Sequence, residues 1–154
     1  MTIFDAANWF INKEPITAVK CQILCYYLQA WALAAEDNNI LNAEFRAGIY
    51  GPQNDDWYNK LKKYPYPTEL IPTDALKNYS SEITDENDIE WLEEVWRVYG
   101  KYDRFDLEHI SKQEFPWLKA HKGYKDHEIC PNIISEDDMK VYYKYQFLAE
   151  EVSQ

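Results

Sequence analysis

Apolar positions recur along the chain at two different periods, and the places where each period stops mark out the expected elements. Phe4, Ala7 and Phe10-Ile11 share one face at helical spacing. They predict a short helix from Phe4 to Lys13, which Pro15 ends. Thr17 suits an N-cap. From Val19 to Ala35 runs the most apolar segment, with Ile23, Leu24, Tyr27, Leu28 and Trp31 on one broad face. It is expected to be the central helix, with Leu24, Leu28 and Trp31 largely buried. Phe45, Ala47 and Ile49 change to period two, as in a short strand, and Gly51-Pro52 is read as the turn that ends it.

A helix is expected from Asp55 to Lys63. The prolines of Tyr64-Pro65-Tyr66-Pro67 and Pro72 then favour an extended, irregular stretch. Thr84 is read as opening the next helix, with Ile89, Leu92, Trp96 and Tyr99 on one face and Gly100 at its C-terminal end. Asp85, Glu86 and Asp88 complement the positive end of its dipole. A helix from Asp106 to Gln113 carries Leu107 and Ile110, and Pro116 fits the first turn of another. Ser135 with Asp138 resembles a capping box before a last helix bearing Met139, Tyr142, Tyr143, Gln146 and Phe147. There is no internal repeat. The expected architecture is mainly α: one compact helical domain over residues 1–154 with a small β-strand or hairpin insert.

Charge narrows the function. With 16 Lys and Arg against 27 Asp and Glu, the net charge of -11 disfavours a phosphate-binding or membrane-docking protein and favours a basic partner. Thirteen Tyr and six Trp are more rings than a core is expected to absorb, so some should sit at half-wet interface positions. Cys21, Cys25 and Cys130, without a secretory leader, suggest reduced thiols in the cytoplasm, and no apolar run approaches the roughly 20 residues of a membrane span.

Groups that could support catalysis are sparse. His121, His127 and Cys130 share one window, but their spacing fits no standard zinc pattern and no fourth ligand is evident. Cys21 and Cys25 lie on one helical face among apolar neighbours, where free cysteines usually act as small core residues. The acidic run from Glu82 to Glu94 reads as a solvated face. Neither a glycine-rich phosphate loop nor a nucleophile elbow is present. No catalytic residue, metal or cofactor is expected.

One ordered set of segments does carry a resemblance. Lys20-Cys21-Gln22-Ile23-Leu24-Cys25-Tyr26-Tyr27-Leu28-Gln29-Ala30-Trp31 resembles the opening motif of the Panacea domain, found in SocA-like antitoxins and phage-associated GepA-like proteins. Phe45 to Pro52 is similar to that family's aromatic-alanine segment ending in Gly-Pro, and Tyr58 falls where the family has a tyrosine after it. Val95 to Gly100 resembles its helix-ending Tyr-Gly. Leu107, Ile110, Ser111, Glu114, Pro116, Trp117 and Ala120 fit its Leu-Ser-His-Glu-Pro-Trp-Ala pattern, and Ile129 to Tyr143 resembles its closing segment. Two departures stand out: Lys112 replaces the family's usual histidine, and Gly51-Pro52-Gln53-Asn54-Asp55 replaces a Gly-Pro-Val-x-Pro stretch.

The resemblance implies an antitoxin that neutralises its cognate toxin by direct protein contact. Family partners include small-alarmone-synthetase-like toxins acting on tRNA or nucleotides. Some relatives instead act as adaptors that deliver a toxin to a protease, and the alternative reading is such a protease adaptor or a phage-linked regulatory interaction protein. The contact is expected around Tyr50, Gly51, Pro52, Trp57 and Tyr58, because a turn on a rigid scaffold exposes its residues and Trp and Tyr lead hot-spot lists. The competing reading is that Trp57 and Tyr58 pack the turn against the central helix.

Overall fold

The computed structural model describes residues 1–64, 68–79 and 83–153. Among them are seven helices and one two-stranded sheet. The first helix, α1 (Ile3–Ile11), begins at a reciprocal capping box: the Asp5 amide donates to Thr2 Oγ1 at 3.1 Å and the Thr2 amide to Asp5 Oδ2 at 2.9 Å. Thr17 caps α2 (Ala18–Glu36) through the Lys20 amide, and Asp37 ends it in the left-handed region at φ 53°.

The chain is built around α2. All its residues except Trp31, Ala35 and Glu36 are buried, so its apolar character runs round the whole helix and not along one face. Helices α1, α4 (Glu86–Tyr99), α5 (Arg104–Lys112) and α7 (Glu136–Ser153) pack around it. Leu24 and Leu28 are buried as expected. Trp31 is a correction: it is half-buried, because it projects between α4 and α7 and not into the centre. The polar residues of α2 are satisfied inside. Gln22 accepts from the Asn54 amide at 2.9 Å, Gln29 bridges Leu41 and Ala43, and Lys20 Nζ donates to the Gly100 carbonyl at 2.7 Å. Burial holds the Lys20 pKa below its ordinary value, with Glu14 and Asp103 opposing.

Strands β1 (Arg46–Gly48) and β2 (Gly51–Gln53) pair antiparallel, with Ala47 opposite Pro52 and Gly48 opposite Gly51. The turn therefore lies at Ile49-Tyr50, and Gly51-Pro52 starts the return strand instead of forming the turn. Gly51 supplies φ 103°, which permits the reversal. Pro52 is tolerated because the amide of its partner Ala47 points the other way, donating to the Asn132 carbonyl at 3.0 Å. Residues 132–134 thus line the free edge of β1, where the Ile134 amide donates to the Phe45 carbonyl at 2.7 Å.

Several expected boundaries move. Helix α3 (Asp55–Leu61) stops before Lys63, and Asn54 caps it. Asp85, not Thr84, caps α4, because its carboxylate accepts from the Asp88 amide at 3.0 Å. The α4 C-cap is Gly100, in right-handed conformation. A side chain there would fall 2.5 Å from the Trp96 carbonyl oxygen. Helix α5 starts at Arg104 because Asp103 and Asp106 form a second reciprocal box. Helix α6 (Phe115–His121) has Pro116 in its first turn. Ser135 accepts from the Asp138 amide at the start of α7. Residues 68–79 form turns pinned to the start of α2 by the Ile71 amide on the Ile16 carbonyl. Of the proline-rich stretch, Pro65-Tyr66-Pro67 lies outside the described residues, as does Glu82 at the head of the acidic run. No described helix is long and apolar enough to cross a membrane.

Candidate protein-binding surface

The residues expected to touch a partner do not share one surface. Trp57 is fully buried: its indole nitrogen donates to the Ala18 carbonyl at 3.0 Å and its ring lies 6.1 Å from that of Phe4. Gly51 and Pro52 are also buried. A Cβ on Gly51 would fall 2.9 Å from Ser111 Oγ on α5. Trp57, Gly51 and Pro52 are therefore packing residues in this fold. Only Tyr50, half-buried, and Tyr58, exposed, reach solvent.

The hairpin turn is clamped to α5 and α6. Lys112 Nζ donates to the Ile49 carbonyl at 2.8 Å and lies 5.2 Å from the Trp117 ring centroid. Trp117 donates its indole N–H to the Gly48 carbonyl at 3.2 Å. The Arg104 guanidinium sits 5.7 Å from the Tyr50 ring centroid. Lys112, which stands where the resemblance expects histidine, thus supplies a donor that fastens the turn.

Glu114, the motif carboxylate, joins three helices. Its Oε1 accepts from Tyr27 of α2 at 2.7 Å and from Tyr143 of α7 at 2.9 Å. The Tyr143 and Tyr26 hydroxyls are 3.1 Å apart. Burial raises the Glu114 pKa to about 7, while the two tyrosine hydrogen bonds pull the other way. Burial also pushes the Tyr26, Tyr27 and Tyr143 hydroxyls well above their ordinary range, so they act as donors. The sequence named Glu114 within a motif. Its partners lie 87 and 29 residues away, and no local pattern reports such contacts.

The same network reaches a groove. The Tyr27 ring stacks on Tyr99 of α4, with centroids 4.0 Å apart and planes 7° from parallel. The Tyr99 hydroxyl accepts from the Trp31 indole at 2.8 Å. Trp31 and Tyr99 belong to the lining of a concavity of about 350 Å³ between α4 and α7. Trp91, Val95 and Val98 line it from α4 at positions i, i+4 and i+7, and Phe147 lines it from α7. Glu94 and Glu150 are the acids of its lining. Arg97, its one base among the described residues, donates from Nε to Glu94 Oε2 at 2.9 Å. Sequence reasoning placed Trp31 on the buried face of the central helix and gave Phe147 no face, and so missed this site. The i, i+4, i+7 spacing on α4 was the available signal.

Two of the three residues in the histidine and cysteine window pack inside the protein and one does not. His121 is buried and stacked on Trp117, centroids 4.3 Å apart, while Cys130 is buried and His127 exposed. Cys21 and Cys25 are free thiols buried between α2 and the carbonyls of Ala7 and Ile3. Among the described residues, no three His, Cys, Asp or Glu side chains are grouped to hold a metal ion.

A mainly helical scaffold wound round one buried helix, with its motif carboxyl crosslinking helices, is the class that this geometry defines. Residues 23–118 match the family described as antitoxin SocA-like, Panacea domain, and the chain belongs to that family. The match runs from α2 into α6, so Phe147 and Tyr143 lie beyond it. No curated protein and no solved structure matches the chain.

Proposed function

We propose that this protein is the antitoxin of a toxin–antitoxin pair and neutralises its toxin by direct protein contact in the cytoplasm. The observation that carries the reading is membership of the SocA-like antitoxin family across residues 23–118. The net charge of -11 supports it, since an acidic protein is suited to cover a basic surface built for phosphates. The toxin is accordingly expected to be basic, with tRNA or nucleotides as its targets.

The test is co-expression with the product of the adjacent gene. Growth arrest by that product should be reversed by this chain, and the two proteins should co-purify. No rescue and no complex would reject the reading. Rescue that disappears in a protease-deficient host, with toxin levels restored, would assign the chain to protease delivery instead.

A further inference from the structure

We infer that the groove between α4 and α7 receives a basic, amphipathic helix of the partner protein; resting on the function proposed above, that partner is the toxin. Shape gives the first argument. Half-buried Trp91 and Val98, with buried Val95 as the floor between them, run along α4 for two helical turns, about 10 Å at the usual rise per residue. A stripe of this length matches the i, i+4, i+7 anchors of a docked helix. The concavity of about 350 Å³ has room for anchoring side chains at the small end of the usual range for ligand pockets.

Chemistry gives the second. The only polar atom of the Trp31 ring is already bonded to Tyr99, so its remaining exposed surface is apolar and gains by being covered. Half-buried Trp91 and exposed Phe147 add to that surface. Trp31, held by its hydrogen bond to Tyr99, loses little freedom on association. The Tyr27–Tyr99 stack holds the groove wall against the central helix.

Charge selects the occupant. Helix α4 bears Glu86, Asp88, Glu90, Glu93 and Glu94 against Arg97 alone; of these Glu94 and Arg97 line the groove and engage each other, while the other acids lie elsewhere on the helix. Glu150 adds a further acid from α7. A lysine- or arginine-bearing helix is drawn to such a surface, whereas an acidic peptide, a nucleic acid or an anionic bilayer is repelled. A second copy of this chain would bring another net charge of -11, which opposes self-association through this face.

The experiment uses the full chain and two synthetic peptides of roughly 18 residues, long enough to be helical. Both carry the same leucine and phenylalanine stripe; one has lysines on its other face and one has glutamates. Binding is followed by calorimetry and by tryptophan fluorescence, which Trp31 and Trp91 should report. Phe147→Asp and Glu94→Lys change exposed residues, and thermal melting checks that each variant keeps its fold. The lysine peptide should bind and the glutamate peptide should not, and each variant should weaken lysine-peptide binding at least about tenfold. Equal binding by both variants and the native chain, or equal binding of the two peptides, would overturn the groove assignment.

The rescue assay separates the two claims. Native chain that binds the lysine peptide yet fails to rescue rejects the antitoxin reading and keeps the groove. Rescue by the native chain and equally by both variants rejects the groove and keeps the antitoxin reading.

Discussion

Trp57 and Trp91 enter their helices in similar settings, Trp57 directly after Asp55-Asp56 within the first turn of α3 and Trp91 one turn after the acidic start of α4, yet they end in opposite environments. Trp57 is sealed between α1 and the start of α2, with its indole N–H spent on a backbone carbonyl. Trp91 lines an open groove beside Trp31 and Phe147. The hairpin side of the molecule has turned its large ring inward, and the α4–α7 side has left several rings half outside. A count of aromatic residues therefore does not locate an interface. What separates the two regions is whether neighbouring elements close over the ring.

The sharpest way to break this contrast is Trp57→Ala. A fully buried tryptophan replaced by alanine should cost about 3–5 kcal/mol in urea unfolding, and rescue should fall only in step with stability. An unfolding free energy within error of the native chain would mean that the hairpin side is a surface after all. Leu24→Ala should cost about 2–5 kcal/mol by the same measurement and calibrates the core common to both regions.

Glu114 lies between the two regions and titrates. Its folded pKa of about 7 is above the ordinary 4.5, so the folded chain holds this proton more tightly than the unfolded chain. Stability contributed by the protonated carboxyl is complete below about pH 4.5 and is lost as pH rises towards 7 and beyond. At 1.36 kcal/mol per pH unit, the loss is capped at about 3 kcal/mol. Because both tyrosines donate to one oxygen, Glu114→Gln preserves an acceptor for them and should flatten this slope between pH 5 and 8. Unfolding curves of the two proteins at several pH values check it; parallel slopes would exclude Glu114 as the cause.

Smaller effects sharpen the comparison. Association with the toxin should slow by about tenfold as salt rises from low to several hundred millimolar, because the acidic α4 face provides steering. A salt-independent rate in stopped-flow mixing would make the contact purely apolar. Tyr58→Ala, on the exposed side of α3, should change stability by less than about 0.5 kcal/mol. If it abolishes rescue at that unchanged stability, the hairpin side contributes a contact through Tyr58.

Much of the helical layout was legible because capping residues and apolar spacing are local. Thr17, Ser135 and Pro116 mark element starts correctly. The interior of α2 was legible as apolar but not as enclosed on all sides, since helical spacing shows a face and not how many elements cover it. Gly51-Pro52 was misplaced by two residues: a glycine at positive φ and a proline both signal a turn, yet here they follow it. Trp31, expected to be largely buried, is half-buried, and of the two readings of Trp57 the packing one holds, because closure depends on α1, α4 and α7, which are distant in sequence. The Glu114 cluster was unreadable for the same reason.

The all-round burial of α2 has a consequence for how the protein is made. Its tyrosine face is completed by α7, which begins at Glu136, while α2 ends at Glu36. At roughly 5–20 residues per second, translation leaves that face uncovered for on the order of 5–20 s. Until then Tyr26 lacks its Tyr143 partner and Tyr27 is covered by Tyr99 of α4 alone, so the last side of the central helix closes only when α7 has been made.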